Sequence, residues 1–129
     1  METPKTIKHV LIADDDPTTR MLFGSLLARA GYEVLYAKDG NDAREMARRL
    51  QPDLILLDLN MPIMDGMEVA TRLKTEPKSV NINTPIAFLT NEDLGIEAQK
   101  MIKELGVADY IQKGVSNEEF IARVKKLLP

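Results

Sequence analysis

Two kinds of segment alternate along the chain. Short apolar runs stand at His9–Ala13 (HVLIA), Glu33–Ala37 (EVLYA), Leu54–Leu57 (LILL), Ile86–Leu89 (IAFL) and Asp109–Ile111 (DYI). They are near-continuous rather than alternating, the pattern of strands buried on both faces. Between them the spacing becomes helical. Ala43, Met46, Ala47 and Leu50 fall at i, i+3, i+4 and i+7 and draw one stripe down a helix. Leu94, Ala98, Met101, Ile102 and Leu105 predict a second stripe, and Phe120, Ile121, Val124, Leu127 and Leu128 a third. Thr18–Arg29 and Met67–Thr75 are helical by the same test, less cleanly.

Punctuation agrees. Gly31 and Gly106 follow helix ends, where a left-handed residue is wanted. Asp16-Pro17 suits an N-cap followed by proline at the first helical position. Ser116-Asn-Glu-Glu119 reads as a capping box opening the last helix. Five strands alternating with five helices predict an α/β fold, a parallel sheet covered on both faces. The stretch Glu76–Pro85 predicts a long surface loop before the fourth strand. No repeat, low-complexity tract or linker divides the chain, so a single domain is expected over residues 1–129, with 1–6 as an N-terminal tail.

A chain of 129 residues buries roughly two-thirds of its unfolded surface and needs no staple. It contains no cysteine, which removes disulfides, thiol catalysis and zinc–thiolate sites. With 17 basic and 20 acidic residues it offers no footprint for direct nucleic-acid binding. The first residues lack the apolar run of a signal peptide, and no stretch approaches the ~20 apolar residues of a membrane span. A soluble, cytoplasmic protein without membrane contact is the expectation.

In open parallel sheets, ligands sit outside the carboxyl ends of the strands. Asp14, Asp15 and Asp16 follow the first strand, the third ends at Asp58, the fourth at Thr90, and Lys113 lies just past the fifth. Each has a plain structural reading: a helix cap for Asp16, a turn for Asp58, a strand or cap residue for Thr90, a solvated loop for Lys113. Their convergence on one rim is what these readings leave unexplained. Asp58 follows four apolar residues, and an ionised carboxylate at the edge of a core is costly unless paired or bound to metal. Two unit charges about 4 Å apart repel by roughly 4 kcal/mol at an effective dielectric of about 20. A carboxylate-rich, all-oxygen site therefore calls for a hard divalent cation, Mg2+ or Mn2+. The sole histidine, His9, starts the first strand and reads as a surface residue.

Leu11-Ile-Ala-Asp-Asp-Asp-Pro17, Leu56-Leu-Asp-Leu-Asn-Met-Pro62 with Met64-Asp-Gly66, Leu89-Thr90 and Lys113 resemble the receiver domains of two-component response regulators. The resemblance covers nearly the whole chain. It implies a doubly wound (βα)5, flavodoxin-like sheet in the order 2-1-3-4-5. It further implies that Asp58 is the phosphoacceptor, taking its phosphoryl group from a sensor histidine kinase or phosphotransfer protein. Asp15, Asp58 and the carbonyl of Asn60 would ligate Mg2+, with Asp14 acting through bound water. Thr90 and Lys113 would bond phosphoryl oxygens, and Tyr110 would swing inward with Thr90. The result would be a signalling switch rather than an enzyme, one that assists its own phosphorylation and dephosphorylation. It would meet a downstream protein through its fourth helix, fifth strand and fifth helix. Reversing a population of roughly 1:99 needs about 5.5 kcal/mol, which two or three charge-assisted bonds of about 1.5–3 kcal/mol each can supply.

Three positions depart from the family pattern. Gly114 stands where proline usually follows the lysine, so a trans bond is expected. Asn91 follows Thr90, where a smaller residue is commoner, and narrows access to Asp58. The loop around Lys78–Thr84 is slightly long. Two other classes compete. A Mg2+-dependent phosphohydrolase with an aspartyl nucleophile usually carries a second acid two residues on, where this chain has Asn60, and a cap for which no segment is long enough. A degenerate receiver acting only as a binding module is opposed by retention of every acidic, hydroxyl and lysine group.

Overall fold

Polar residues close three of the five strands. In the computed structural model, which describes residues 6–129, the chain runs β1 (His9–Ala13), α1 (Pro17–Arg29), β2 (Glu33–Ala37), α2 (Gly40–Leu50), β3 (Leu54–Asp58), α3 (Gly66–Thr75), β4 (Ile86–Thr90), α4 (Ile96–Leu105), β5 (Asp109–Gln112) and α5 (Asn117–Leu127). The expected tail lies outside the described residues apart from Thr6. The apolar runs reappear as strands, with Asp58, Thr90 and Gln112 added as last residues. The sheet is parallel and ordered β2-β1-β3-β4-β5. Its register sets Ala13 beside Leu57, Asp58 beside Leu89 and Thr90 beside Gln112, so the polar strand ends share one rim.

Both faces are covered, which is why the strands carry no polar alternation. Leu11, Ile55, Leu57, Ile86 and Phe88 pack with residues of α2, α3 and α4. Val10, Ile12, Leu54, Leu56, Leu89 and Ile111 pack with Phe23 and Leu27 of α1 and Phe120 and Val124 of α5. The rings of Phe23 and Phe120 lie 4.7 Å apart at 47°, joining the two helices. Burying each such aliphatic or aromatic side chain contributes roughly 1.5–3 kcal/mol.

The helix ends follow the sequence signals. Asp16 caps α1 by accepting from Thr18 N, with Pro17 next. Gly31 and Gly106 adopt φ of +98° and +92°. Ser116 Oγ accepts from Glu119 N at 3.1 Å, but the Glu119 carboxylate pairs with Arg123 instead, so only half of the capping box forms.

Two of the larger stripe residues stand out of the core: Leu50 and Met101 are 44% and 57% exposed. Leu50 ends α2, and Met101 lines an open groove between α3 and α4. Leu94 lies ahead of α4, whose N-cap is Gly95, yet packs against the core from the loop. The Glu76–Pro85 stretch is more than a surface loop. Asn81 is fully buried and donates to the Ala47 carbonyl at 3.0 Å. Lys74 Nζ donates to the carbonyls of Ile82 and Thr84 at 2.9 and 2.6 Å. Among the described residues no peptide bond is cis, and no helix is long and apolar enough to cross a membrane.

Candidate functional site

β1 and β3 deliver their terminal carboxylates to one place. Asp14 follows β1 and is fully buried, and Asp58 ends β3 at 5% exposure. Oxygen atoms of Asp14, Asp15 and Asp58 all lie within 4.8 Å of one another. Asp14 Oδ1 accepts from Asp16 N at 2.9 Å, and Asp58 Oδ1 from Asn60 N at 3.2 Å. Arg20, one turn into α1, donates to the Asp14 carbonyl at 2.6 Å and fixes the strand end against the helix.

Lys113 enters from the β5 side. Its Nζ stands 2.8 Å from Asp14 Oδ2 and 3.3 Å from Asp58 Oδ2. Its own amide donates to the Thr90 carbonyl at 2.8 Å, which pins the loop after β5 to the end of β4. Burial raises the Asp58 pKa above the usual carboxylate range; the Asn60 N–H opposes this, Asp14 reinforces it and Lys113 opposes it again. For Lys113, burial alone acts downward, but hydrogen bonding and attraction from Asp14, then Asp58, raise its pKa overall.

Thr90 is 1% exposed, and its hydroxyl is already engaged, accepting from Glu92 N at 3.0 Å. Tyr110 pairs in register with Phe88, two residues before Thr90, so both lie toward the same sheet face. Tyr110 is half-buried against the cluster under α2, α3 and α4, and its carbonyl accepts from Arg123. Asn60 and Asn91 are exposed beside the rim. His9 lies at the far end of β1, half-exposed between Glu33 and Asp53, and takes no part.

Sequence reasoning missed two supports. A Cβ on Gly66 would overlap the Asp58 carbonyl oxygen, so α3 can begin against the acidic cluster only with glycine there. Arg20 was also unremarked, though its place one turn into α1 was a signal.

The donor set fits a hard cation. Three carboxylates face one ammonium, leaving two negative charges, the complement of a divalent ion. Asp14 Oδ2 is buried, and the Lys113 ammonium 2.8 Å away is the cationic partner that faces it.

The model of the response regulator receiver domain matches residues 10–125. The chain belongs to that family. Among its relatives, the DNA-binding dual master transcriptional regulator RpaA of Synechocystis is 41% identical over 122 residues, covering 93% of this chain and 48% of that protein. The alkaline phosphatase synthesis transcriptional regulatory protein PhoP of Bacillus subtilis is 38% identical over 122 residues, covering 94% and 48%. The chain thus spans about half the length of the curated relatives it matches. The chemotaxis protein CheY4 of Vibrio cholerae superposes with a TM-score of 0.86 at 30% identity, over 95% of this chain and 99% of that one. The beryllofluoride-activated N-terminal receiver domain of Klebsiella pneumoniae RstA gives 0.81 at 29% identity, over 93% and 97%. As a receiver domain, the chain is a signalling phosphoacceptor of two-component systems, built on the flavodoxin-like sheet order expected of it. Receiver domains bind Mg2+ and interact with histidine kinases and effectors; the Asp14, Asp15 and Asp58 cluster is where such an ion fits.

Proposed function

We propose that Asp58 is the residue that takes the phosphoryl group, from a phosphohistidine on a sensor kinase or phosphotransfer protein, over a single receiver domain formed by residues 1–129. The observation that carries this reading is Asp58 itself: a carboxylate 5% exposed at a strand end, 3.3 Å from Lys113 and within reach of two further acids. A carboxylate oxygen attacks phosphorus, the phosphorus–nitrogen bond breaks, and the imidazole leaves with that electron pair.

Asp15, Asp58 and the Asn60 carbonyl would hold Mg2+, or Mn2+ as a substitute, and Asp14 would act through a water. When bound, the ion neutralises charge on the phosphoryl oxygens and on the acids around them. The chain's own groups do the rest. Lys113, already between Asp14 and Asp58, moves onto a phosphoryl oxygen. Thr90 gives up Glu92 N and turns its hydroxyl to another. Tyr110, on the same face, follows into the space vacated. The Thr90 step replaces a neutral hydrogen bond with a charge-assisted one worth about 1.5–3 kcal/mol, while Lys113 exchanges carboxylate partners for a phosphoryl oxygen.

The same residues assist both gain and hydrolytic loss of the phosphoryl group, so the molecule acts as a timed switch in the cytoplasm. Its output is a protein contact at α4, β5 and α5. RpaA and PhoP are named as transcriptional regulators; a transcriptional role for a protein containing this chain is the corresponding proposal. Incubation with phosphoramidate and Mg2+ should add one hydroxylamine-sensitive phosphoryl group per chain by intact mass. Asp58→Asn should abolish it. Label that persists in the variant assigns the acceptor elsewhere.

A further inference from the structure

The loop between Asp58 and α3 carries a residue that local energetics disfavour. Ile63 has φ of +72° and is 80% exposed. Met64 N donates to the Pro62 carbonyl at 2.8 Å across it, which makes Ile63 the centre of a γ-turn of the rare, strained hand. A β-branched residue at positive φ is a genuine outlier, and such strain persists only where the surroundings over-determine it.

The surroundings do so here, without help from the Ile63 side chain. Met61 is 8% exposed and Met64 half-buried, both set in the core. Gly66 N closes the loop onto the Leu59 carbonyl at 3.1 Å. Gly40 lacks the Cβ that would collide with the Met64 carbonyl, so the N-terminus of α2 presses on the same turn. These anchors would hold the turn with glycine or asparagine at its centre, and either would relieve the strain. The isoleucine instead places a bare apolar side chain in water, at the tip of the loop that leaves Asp58. The isolated domain gains nothing from it.

We propose that Ile63 is an apolar docking residue for the protein that delivers the phosphoryl group, one that determines which donors reach Asp58; this rests on Asp58 being the acceptor. With Asp58 only 5% exposed, a donor histidine must be brought down onto the rim, and the exposed Pro62–Ile63 tip belongs to the loop that leaves β3 there. The fitting partner is a protein surface whose phosphohistidine is bordered by an apolar side chain. A small phosphodonor enters without touching the tip.

The test times phosphorylation of wild type, Ile63→Gly, Ile63→Asn and Ile63→Leu with Mg2+. One donor is phosphoramidate; the other is whichever phosphorylated histidine kinase of the source organism transfers fastest to wild type. Gly and Asn should slow kinase transfer by about tenfold or more, as loss of an apolar hot spot does. Leu should stay within about threefold, as a volume-conserving swap does. All four proteins should react alike with phosphoramidate, and Gly and Asn should melt higher because the turn is no longer strained. Kinase transfer to Gly and Asn at the wild-type rate overturns the inference. Equal slowing with both donors also overturns it, because the turn then merely positions Asp58. A wild-type chain inert to phosphoramidate removes the phosphoacceptor reading itself, and this inference with it.

Discussion

Asp58 sits where its charge is least welcome and its chemistry most useful. Burial raises its pKa, so the folded state holds the proton more tightly than the unfolded chain does. A raised carboxyl pKa contributes stability below its ordinary 3.8, and that contribution is lost as pH rises through the folded value. Asp58→Asn should therefore stabilise the domain at neutral pH without divalent cations, by an amount of order 1 kcal/mol or ~4 °C in Tm. The gain should vanish near pH 3 and shrink when Mg2+ is added, since the ion favours the wild-type site. Equal melting temperatures at pH 7 in chelator would show that Lys113 fully offsets the burial.

The acids and the lysine were legible because strand ends on one rim must be neighbours, whatever the loops do. The hydroxyl partner of Thr90 was not, since Glu92 N is supplied by a local turn. Nor was Ile63 legible as strained: its φ follows from how deeply Met61 and Met64 are set, which no periodicity encodes.

At the scale of elements, the strands were nearly complete in the apolar runs and in the polar ends Asp58 and Thr90, and what was missed was Gln112 at the end of β5. The helical stripes named the right faces but not how far their neighbours extend. Leu50 overruns its cover at the end of α2, and Met101 faces a groove. The loop before β4 lies at the surface as its composition indicated, but its anchors are polar and were not legible. Lys74 extends from α3 to two carbonyls of that loop, with its pKa lowered by burial. Lys74→Ala should cost about 1–2 kcal/mol, seen as a lower urea midpoint, and should speed amide exchange across residues 79–84. Unchanged exchange there would mean that the buried Asn81 and the Ser79–Leu73 bond hold the loop alone.

At the scale of the molecule, β4 and β5 join the acidic rim to the α4, β5 and α5 surface proposed as the output face. Beryllofluoride with Mg2+ mimics the phosphoryl group. It should shift amide resonances of Thr90, Tyr110 and α4 well beyond those of β1 and β2. In Lys113→Ala, some phosphorylation should remain while the shifts at Tyr110 shrink. Resonances that move only within the acidic cluster would place the output elsewhere.

The amide of Lys113 donates to the carbonyl of Thr90, so the ammonium and the hydroxyl hang from a shared piece of main chain. Under the proposed mechanism, a pull on one would be felt by the anchor of the other. A chain coupled in this way would answer yes or no, and the strength of a stimulus would be carried by how many copies had flipped.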